Sequence, residues 1–183
     1  MTDSADNAHL LGRVLVLGGA RSGKSTFAEG LLRSRSDVVY IAPWSDPDDP
    51  DWAARVAAHQ ASRPGGWVTV ETRDAASVLR AGESCYLLDC VTTWLAAAMT
   101  DAGYWDSAPP RPDLLTTKVD DLVAAYTSMT QTVAVSNELG QGVVPATASG
   151  RLFRDEMGRL NQRLAAVSDA VWFITAGIPT RLR

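Results

Sequence analysis

Apolar and polar positions fall into short alternating blocks along the 183-residue chain. Runs of strand length cover Arg13 to Gly18, Val38 to Ala42, Trp67 to Glu71, Cys85 to Cys90, Gln131 to Ser136 and Ala170 to Thr175, and a short edge strand is expected within Gly177 to Arg183. Between them lie segments with helical character: Gly23 to Arg33, Asp49-Pro50 to Ser62, Asp74 to Arg80, Thr92 to Met99, Asp113 to Thr130 and Thr147 to Val167. In the last, Leu152, Phe153, Met157, Leu160, Leu164 and Val167 recur at helical spacing. Asp49 before Pro50 reads as an N-cap with proline at the first helical position, and Pro64-Gly65-Gly66 ends that helix. Strands that alternate with helices predict an α/β fold. Its sheet is mostly parallel, joined by right-handed crossovers and flanked by helices on both faces. Ligands of such sheets bind at the carboxyl ends of the strands.

Composition narrows the picture. The length suits a single domain over residues 13–183, preceded by a polar, acidic tail over residues 1–12 that is expected to be disordered. A net charge of −4 argues against a nucleic-acid footprint. No stretch has the apolar length of a membrane span, and Met1 to His9 lacks the apolar core of a signal peptide, so a cytoplasmic protein is expected. Cys85 and Cys90 are five apart in one expected strand. That spacing puts them on opposite faces, unable to bridge, as small buried residues in a reducing compartment.

The first strand leads into Gly18-Gly19-Ala20-Arg21-Ser22-Gly23-Lys24-Ser25, a G-x-x-x-x-G-K-S phosphate-binding loop placed between strand and helix. Its backbone N–H groups and the positive end of the next helix suit a triphosphate. Lys24 supplies a point charge for the β- and γ-phosphates, and the Ser25 hydroxyl suits Mg²⁺. The expected fold is therefore that of a P-loop nucleoside triphosphatase, RecA-like in its parallel sheet. Asp89 ends a later apolar strand, where a carboxylate can hold the same metal; the competing reading is an N-cap, since Thr92-Thr93 open a helix. Glu71 ends the Trp67 strand and joins the nucleotide-binding candidates.

Arg55, His59 and Arg63 are spaced four and four and share one face of a helix. Two guanidinium groups attract phosphate oxygens and disfavour protonation of an imidazole between them, leaving a nucleophilic nitrogen. The spacing alone equally fits an exposed basic stripe paired with carboxylates such as Asp51. Asn137-Glu138 closes a strand before a glycine-rich turn. Glu138 could orient a hydroxyl or assist a metal, or simply sit at a strand-end turn. Arg151, Arg154, Asp155, Arg159, Asn161 and Gln162 form the polar side of the last helix, most of them expected on a solvated face. Arg151, Arg154 and Asn161 are kept with Glu138 as substrate or supporting candidates. Trp44, Trp52 and Trp67 flank the histidine helix and read more readily as core or interface residues than as a stacking site.

Several stretches together resemble one family: V-L-V-L-G-G-A-R-S-G-K-S, A-A-R-V-A-A-H-Q-A-S-R-P, L-L-D-C-V-T-T-W-L, and N-E-L-G-Q-G-V-V-P followed by R-L-F-R-D-E-M-G-R-L-N-Q-R-L-A. It is the bifunctional adenosylcobinamide kinase and adenosylcobinamide-phosphate guanylyltransferase family of cobalamin synthesis, and the resemblance runs from about Arg13 to Arg183. It implies two reactions. A nucleoside triphosphate, ATP or GTP, phosphorylates the aminopropanol hydroxyl of adenosylcobinamide. A histidine then takes GMP from GTP and passes it to the adenosylcobinamide phosphate. The matching histidine is His59, in R-x-x-x-H-x-x-x-R-P, and the resemblance moves the Arg55–His59–Arg63 stripe from an exposed surface to a guanylylation site. Ala58 stands where members often carry a second basic residue, and Trp52 where methionine is common. The resemblance further implies Mg²⁺, a homotrimer, an open groove for the corrinoid, and Lys24, His59 and Asp89 as the catalytic set. Two other functions fit the loop alone: a small-molecule kinase without a covalent step, and a nucleotide-dependent switch or binding module.

Overall fold

The computed structural model describes residues 12–43, 65–82, 84–106 and 109–183. The helix expected from Asp49 to Ser62 lies outside the described residues, and with it Arg55, His59 and Arg63, as do Trp44 and residues 1–11 of the expected tail.

Seven strands form one sheet: β1 (Gly12–Gly18), β2 (Val38–Ala42), β3 (Val68–Glu71), β4 (Cys85–Asp89), β5 (Gln131–Asn137), β6 (Ala170–Thr175) and β7 (Ile178–Arg181). Their order is β3-β2-β4-β5-β1-β6-β7. Every pairing is parallel except β6 with β7, which closes an antiparallel hairpin at one edge. Five described helices accompany the sheet: α1 (Lys24–Leu32), α2 (Ala75–Arg80), α3 (Val91–Asp101), α4 (Pro112–Ser128) and α5 (Ala148–Val167).

Local chemistry explains the boundaries. Asp74 caps α2 by accepting the N–H of Ser77, and Thr147 caps α5 by accepting the N–H of Gly150. Pro112 opens α4, where its missing N–H costs nothing. β1 starts at Gly12, inside the segment assigned to the tail. β4 stops at Asp89, so Cys90 lies past the strand and not on its opposite face as expected; it is the N-cap residue of α3. Both cysteines are free; Cys85 is buried and Cys90 half-buried. Burial pushes the Cys85 thiol up to about 11.

Alternation along the strands divides the core between the two faces of the sheet. Leu15, Leu17, Ile41, Tyr86, Leu88 and Ala134 face one side, where α2 to α5 add Leu79, Trp94, Leu122 and Leu160. Val14, Val16, Tyr40, Leu87, Val133 and Val135 face the other, where α1 supplies Ala28 and Leu32. This parity fixes which strand-end residues look toward the start of α1. Gly18, Asp89 and Asn137 each lie an even number of residues from the α1-facing members of their strands.

Candidate active site at the strand ends

The phosphate loop joins β1 to α1. Arg21 has φ 56° and Gly23 φ 91°, so left-handed residues punctuate the loop, the kind of backbone from which anion-binding nests of N–H groups are built. Gly18 is needed for close approach: a Cβ there would lie 2.5 Å from Ser22 Oγ and 2.7 Å from the Ile174 carbonyl oxygen. Gly23 is needed for its φ and for its neighbour, since a Cβ would lie 3.2 Å from Gly177 Cα. Lys24 Nζ donates to the Gly19 carbonyl at 3.1 Å, folding the ammonium over the loop.

The loop rests on the β6–β7 turn. Gly177 N–H donates to the Ser22 carbonyl at 2.8 Å, and Ala176 and Gly177 both have positive φ, at 50° and 79°. Two consecutive left-handed residues make the tight turn that suits the twist of a hairpin. Sequence reasoning placed this edge strand but missed its role as the support of the phosphate loop. The signal was Ala176-Gly177 between two short runs, which reads as a hairpin and says nothing about what the hairpin touches.

Asp89 ends β4, separated from β1 by β5 alone. Two strand spacings put it about 10 Å from the loop's strand. The Tyr40 hydroxyl, on β2, donates to Asp89 Oδ2 at 2.9 Å. The capping position of α3 belongs to Cys90, so Asp89 is not the helix N-cap, and the carboxylate serves the strand end instead. Burial and the Asp89 charge push the Cys90 thiol above its ordinary range, while Lys24 draws it the other way.

Asn137 and Glu138 end β5 between these two groups. The Asn137 N–H donates to Thr92 Oγ1 on α3 at 2.9 Å, and its carbonyl accepts from Asn161 Nδ2 on α5 at 3.0 Å. Asn161 Oδ1 accepts from Ser136 Oγ at 2.6 Å. Asn161 is thus 5% exposed and faces the core; its place on the polar side of the helix is corrected by this network. One polar residue on a helix looks solvated by its neighbours' company, and only the strand packed against it decides otherwise. Glu138 Oε1 accepts the N–H of Gly140 at 2.6 Å, bracing the glycine-rich loop. Arg151 Nη1 donates to the carbonyls of Pro145 and Ala146 at 3.0 and 2.9 Å, tying the loop's exit to α5. Arg154 Nε lies 3.8 Å from Asp155 Oδ1.

Glu71 ends β3 and is exposed, four strand positions from β1, or about 19 Å by strand spacing. Trp67 packs against the α1-side core and donates its indole N–H to the Arg35 carbonyl at 2.9 Å, which agrees with the core reading of that ring. Ser25 and Asp89 offer a hydroxyl and a carboxylate, hard oxygen donors of the kind Mg²⁺ takes together with phosphate and water. Among the described residues no cluster of three or more His, Cys, Asp or Glu could hold a metal by itself. Ser25 and Asp89 are of the donor type that suits such an ion once phosphate and water supply the remaining oxygens.

A family model described as "Cobinamide kinase / cobinamide phosphate guanyltransferase" matches residues 14–182. The chain belongs to this family. Two relatives named bifunctional adenosylcobalamin biosynthesis protein CobU bear it out. The one from Escherichia coli K12 is 38% identical, covering 93% of this chain and 99% of the relative. The one from Salmonella typhimurium LT2 is 36% identical with the same coverage. Among solved structures, a prototypical ATPase from the type III secretion system of pathogenic bacteria aligns with a TM-score of 0.54 at 16% identity. It covers 91% of this chain and 51% of that one and supports the P-loop fold alone. Family membership agrees with the resemblance read from the N-E-L-G-Q-G-V-V-P and phosphate-loop stretches.

Proposed function

We propose that this chain carries both activities of its family on one strand-end site: phosphorylation of the aminopropanol hydroxyl of adenosylcobinamide, then transfer of GMP from GTP to the resulting phosphate. What supports the reading is membership of this family, together with a phosphate loop that runs from β1 into α1 at Lys24 and Ser25 and a carboxylate, Asp89, at the end of β4.

In the first step the substrate hydroxyl attacks the γ-phosphorus of ATP or GTP, its proton leaves, and the bond to the β-phosphate oxygen breaks. The residues Gly18, Gly19, Ala20, Arg21, Ser22 and Gly23 hold the polyphosphate with their backbone, and Lys24 offsets its charge. Ser25 and Asp89 would hold Mg²⁺, which supplies charge neutralisation at the β- and γ-phosphates when bound. In the second step a nitrogen of His59 attacks the α-phosphorus of GTP and pyrophosphate leaves, giving a phosphoramidate. A phosphate oxygen of adenosylcobinamide phosphate then attacks that phosphorus, and the P–N bond breaks to restore the imidazole. Arg55 and Arg63 would hold phosphate oxygens beside His59, and Glu71 belongs to the nucleotide's reach. The polyphosphate grip would serve a leaving group in one reaction and a transferring group in the other.

Glu138 and Arg151 enter this reading as supports of the loop that borders the site, Asn161 as the tie between α5 and the end of β5, and Arg154 as a substrate candidate on α5. A homotrimer working in the cytoplasm completes it, the compartment consistent with two free cysteines. The test is intact mass after incubation with GTP alone. The wild-type chain gains one acid-labile GMP and His59→Ala gains none. GMP retained undiminished on His59→Ala would sink the nucleophile, and a wild-type chain that gains nothing favours a kinase without a covalent step.

A further inference from the structure

We propose that Asn137 is a further catalytic residue of the phosphoryl-transfer step, its carboxamide oxygen accepting the hydrogen bond of the attacking hydroxyl. The assignment rests on the kinase reading above.

Three observations converge on it. The first is position. Asn137 pairs with Gly18 in register, and β5 runs between β1 and β4, so Asn137 stands one strand from the phosphate loop and one strand from the Asp89 strand. Each separation is about 4.8 Å across the sheet. The second is direction. On β5, Val133 and Val135 face the α1 side while Ala134 faces the other. Asn137 continues the α1-facing series, as Asp89 does on β4 and Tyr40 on β2. Its side chain shares that face with the helix that starts at Lys24 and Ser25.

The third is an unmet hydrogen bond. The Oδ1 atom of Asn137 is buried and has no hydrogen-bond partner among the described residues. Buried polar atoms are nearly always paired, because an unpaired one costs about 1–3 kcal/mol. The backbone of the same residue is fully engaged, its N–H with Thr92 Oγ1 and its carbonyl with Asn161 Nδ2. The fold thus anchors this residue from two helices and leaves one acceptor unspent beside the phosphate loop. An acceptor is the group that a hydroxyl needs and a phosphate oxygen does not. Stability held back at a site where it costs folding energy points to use in function.

The second reaction, at the α-phosphorus, has its own nucleophile and does not need this acceptor. Asn137→Ala therefore separates the steps. The variant removes the unpaired atom and keeps both backbone bonds, so its melting temperature stays level or rises. With cobinamide as acceptor and ATP and GTP each tried as donor, kcat for phosphorylation falls about tenfold or more, the value of one lost hydrogen bond near the reacting atoms. GTP binding measured by calorimetry stays within about twofold, and the GMP gain seen by intact mass persists. An unchanged phosphorylation rate overturns the assignment, as does a parallel loss of both steps or a drop in melting temperature, each of which marks a structural role. A wild-type chain inactive in phosphorylation overturns the assignment together with the reading beneath it. An active wild type with an equally active Asn137→Ala overturns the assignment alone.

Discussion

The Tyr40 hydroxyl donates a 2.9 Å hydrogen bond to Asp89 Oδ2 from a neighbouring strand. β2 pairs with β4 so that Tyr40 lies opposite Leu87, two residues before Asp89, and the ring reaches diagonally along one face of the sheet. Tyr40 is buried, so the bond forms where water competes little and one carboxylate oxygen is held in a fixed direction.

Removing that hydroxyl should loosen the carboxylate without emptying the core. In Tyr40→Phe the ring still packs, and the Mg²⁺ concentration for half-maximal phosphorylation should rise severalfold while kcat at saturating Mg²⁺ falls by about tenfold or less. Mn²⁺ titration of the nucleotide complex by electron paramagnetic resonance gives a second readout of the same loosening. Identical metal dependence in the variant and the wild type would remove Tyr40 from the account of Asp89.

Lys24 sits over its own loop, bonded to the Gly19 carbonyl at 3.1 Å. That bond offers little to folding, so Lys24→Ala should melt near the wild-type temperature. Its effect belongs to the triphosphate: loss of a charge-assisted contact raises the Kd for GTP by roughly 10- to 100-fold. Both transfers should suffer, because both use the same grip. Calorimetric binding that matches the wild type would count against the phosphate-loop reading.

Asn161 joins α5 to the end of β5 through Ser136 and the Asn137 carbonyl, at 2.6 and 3.0 Å. Asn161→Leu takes the amide from the buried Ser136 hydroxyl and from the part-buried Asn137 carbonyl, and the cost should be about 2–4 kcal/mol in urea unfolding. A loss below 0.5 kcal/mol, on the order of a surface substitution, would mean that water or a shifted side chain replaces the amide.

Asp101 carries the pH prediction. Burial pushes its carboxyl up, but the bond and charge of Lys118 at 2.8 Å and of Arg73 at 3.0 Å together hold it below its ordinary value of 3.8. A depressed carboxylate stabilises the fold above its unfolded pKa, and that stability drains away as pH falls through the lower folded value. Asp101→Asn should therefore cost about 1 kcal/mol near pH 7 and progressively less below about pH 4. Thermal melts across that range check it; a gap between the two proteins that widens toward acid would have the wrong sign.

Much of this molecule is legible along the chain because its signals are local. The apolar run Val14 to Leu17 with a glycine-rich loop behind it is dictated by neighbours in sequence, and β2 and β6 fall where their own apolar runs put them. The phosphate loop could be read for the same reason, since its chemistry is packed into eight successive residues, Gly18 to Ser25. The strand order β3-β2-β4-β5-β1-β6-β7 is a long-range property, and it alone brings Asn137 between Gly18 and Asp89. In sequence, Tyr40 is one position of the Val38 to Ala42 strand run and Asn161 one member of the polar side of the last helix. Their roles exist only because a strand or a helix from elsewhere packs against them. The Ala176-Gly177 turn announced a hairpin, yet only packing could set its Gly177 N–H against the Ser22 carbonyl. Sequence pattern specifies which residues can bury, turn or carry charge. Which of them meet is decided by the hydrophobic closure of both sheet faces, which selects among the many pairings that the same local pattern allows.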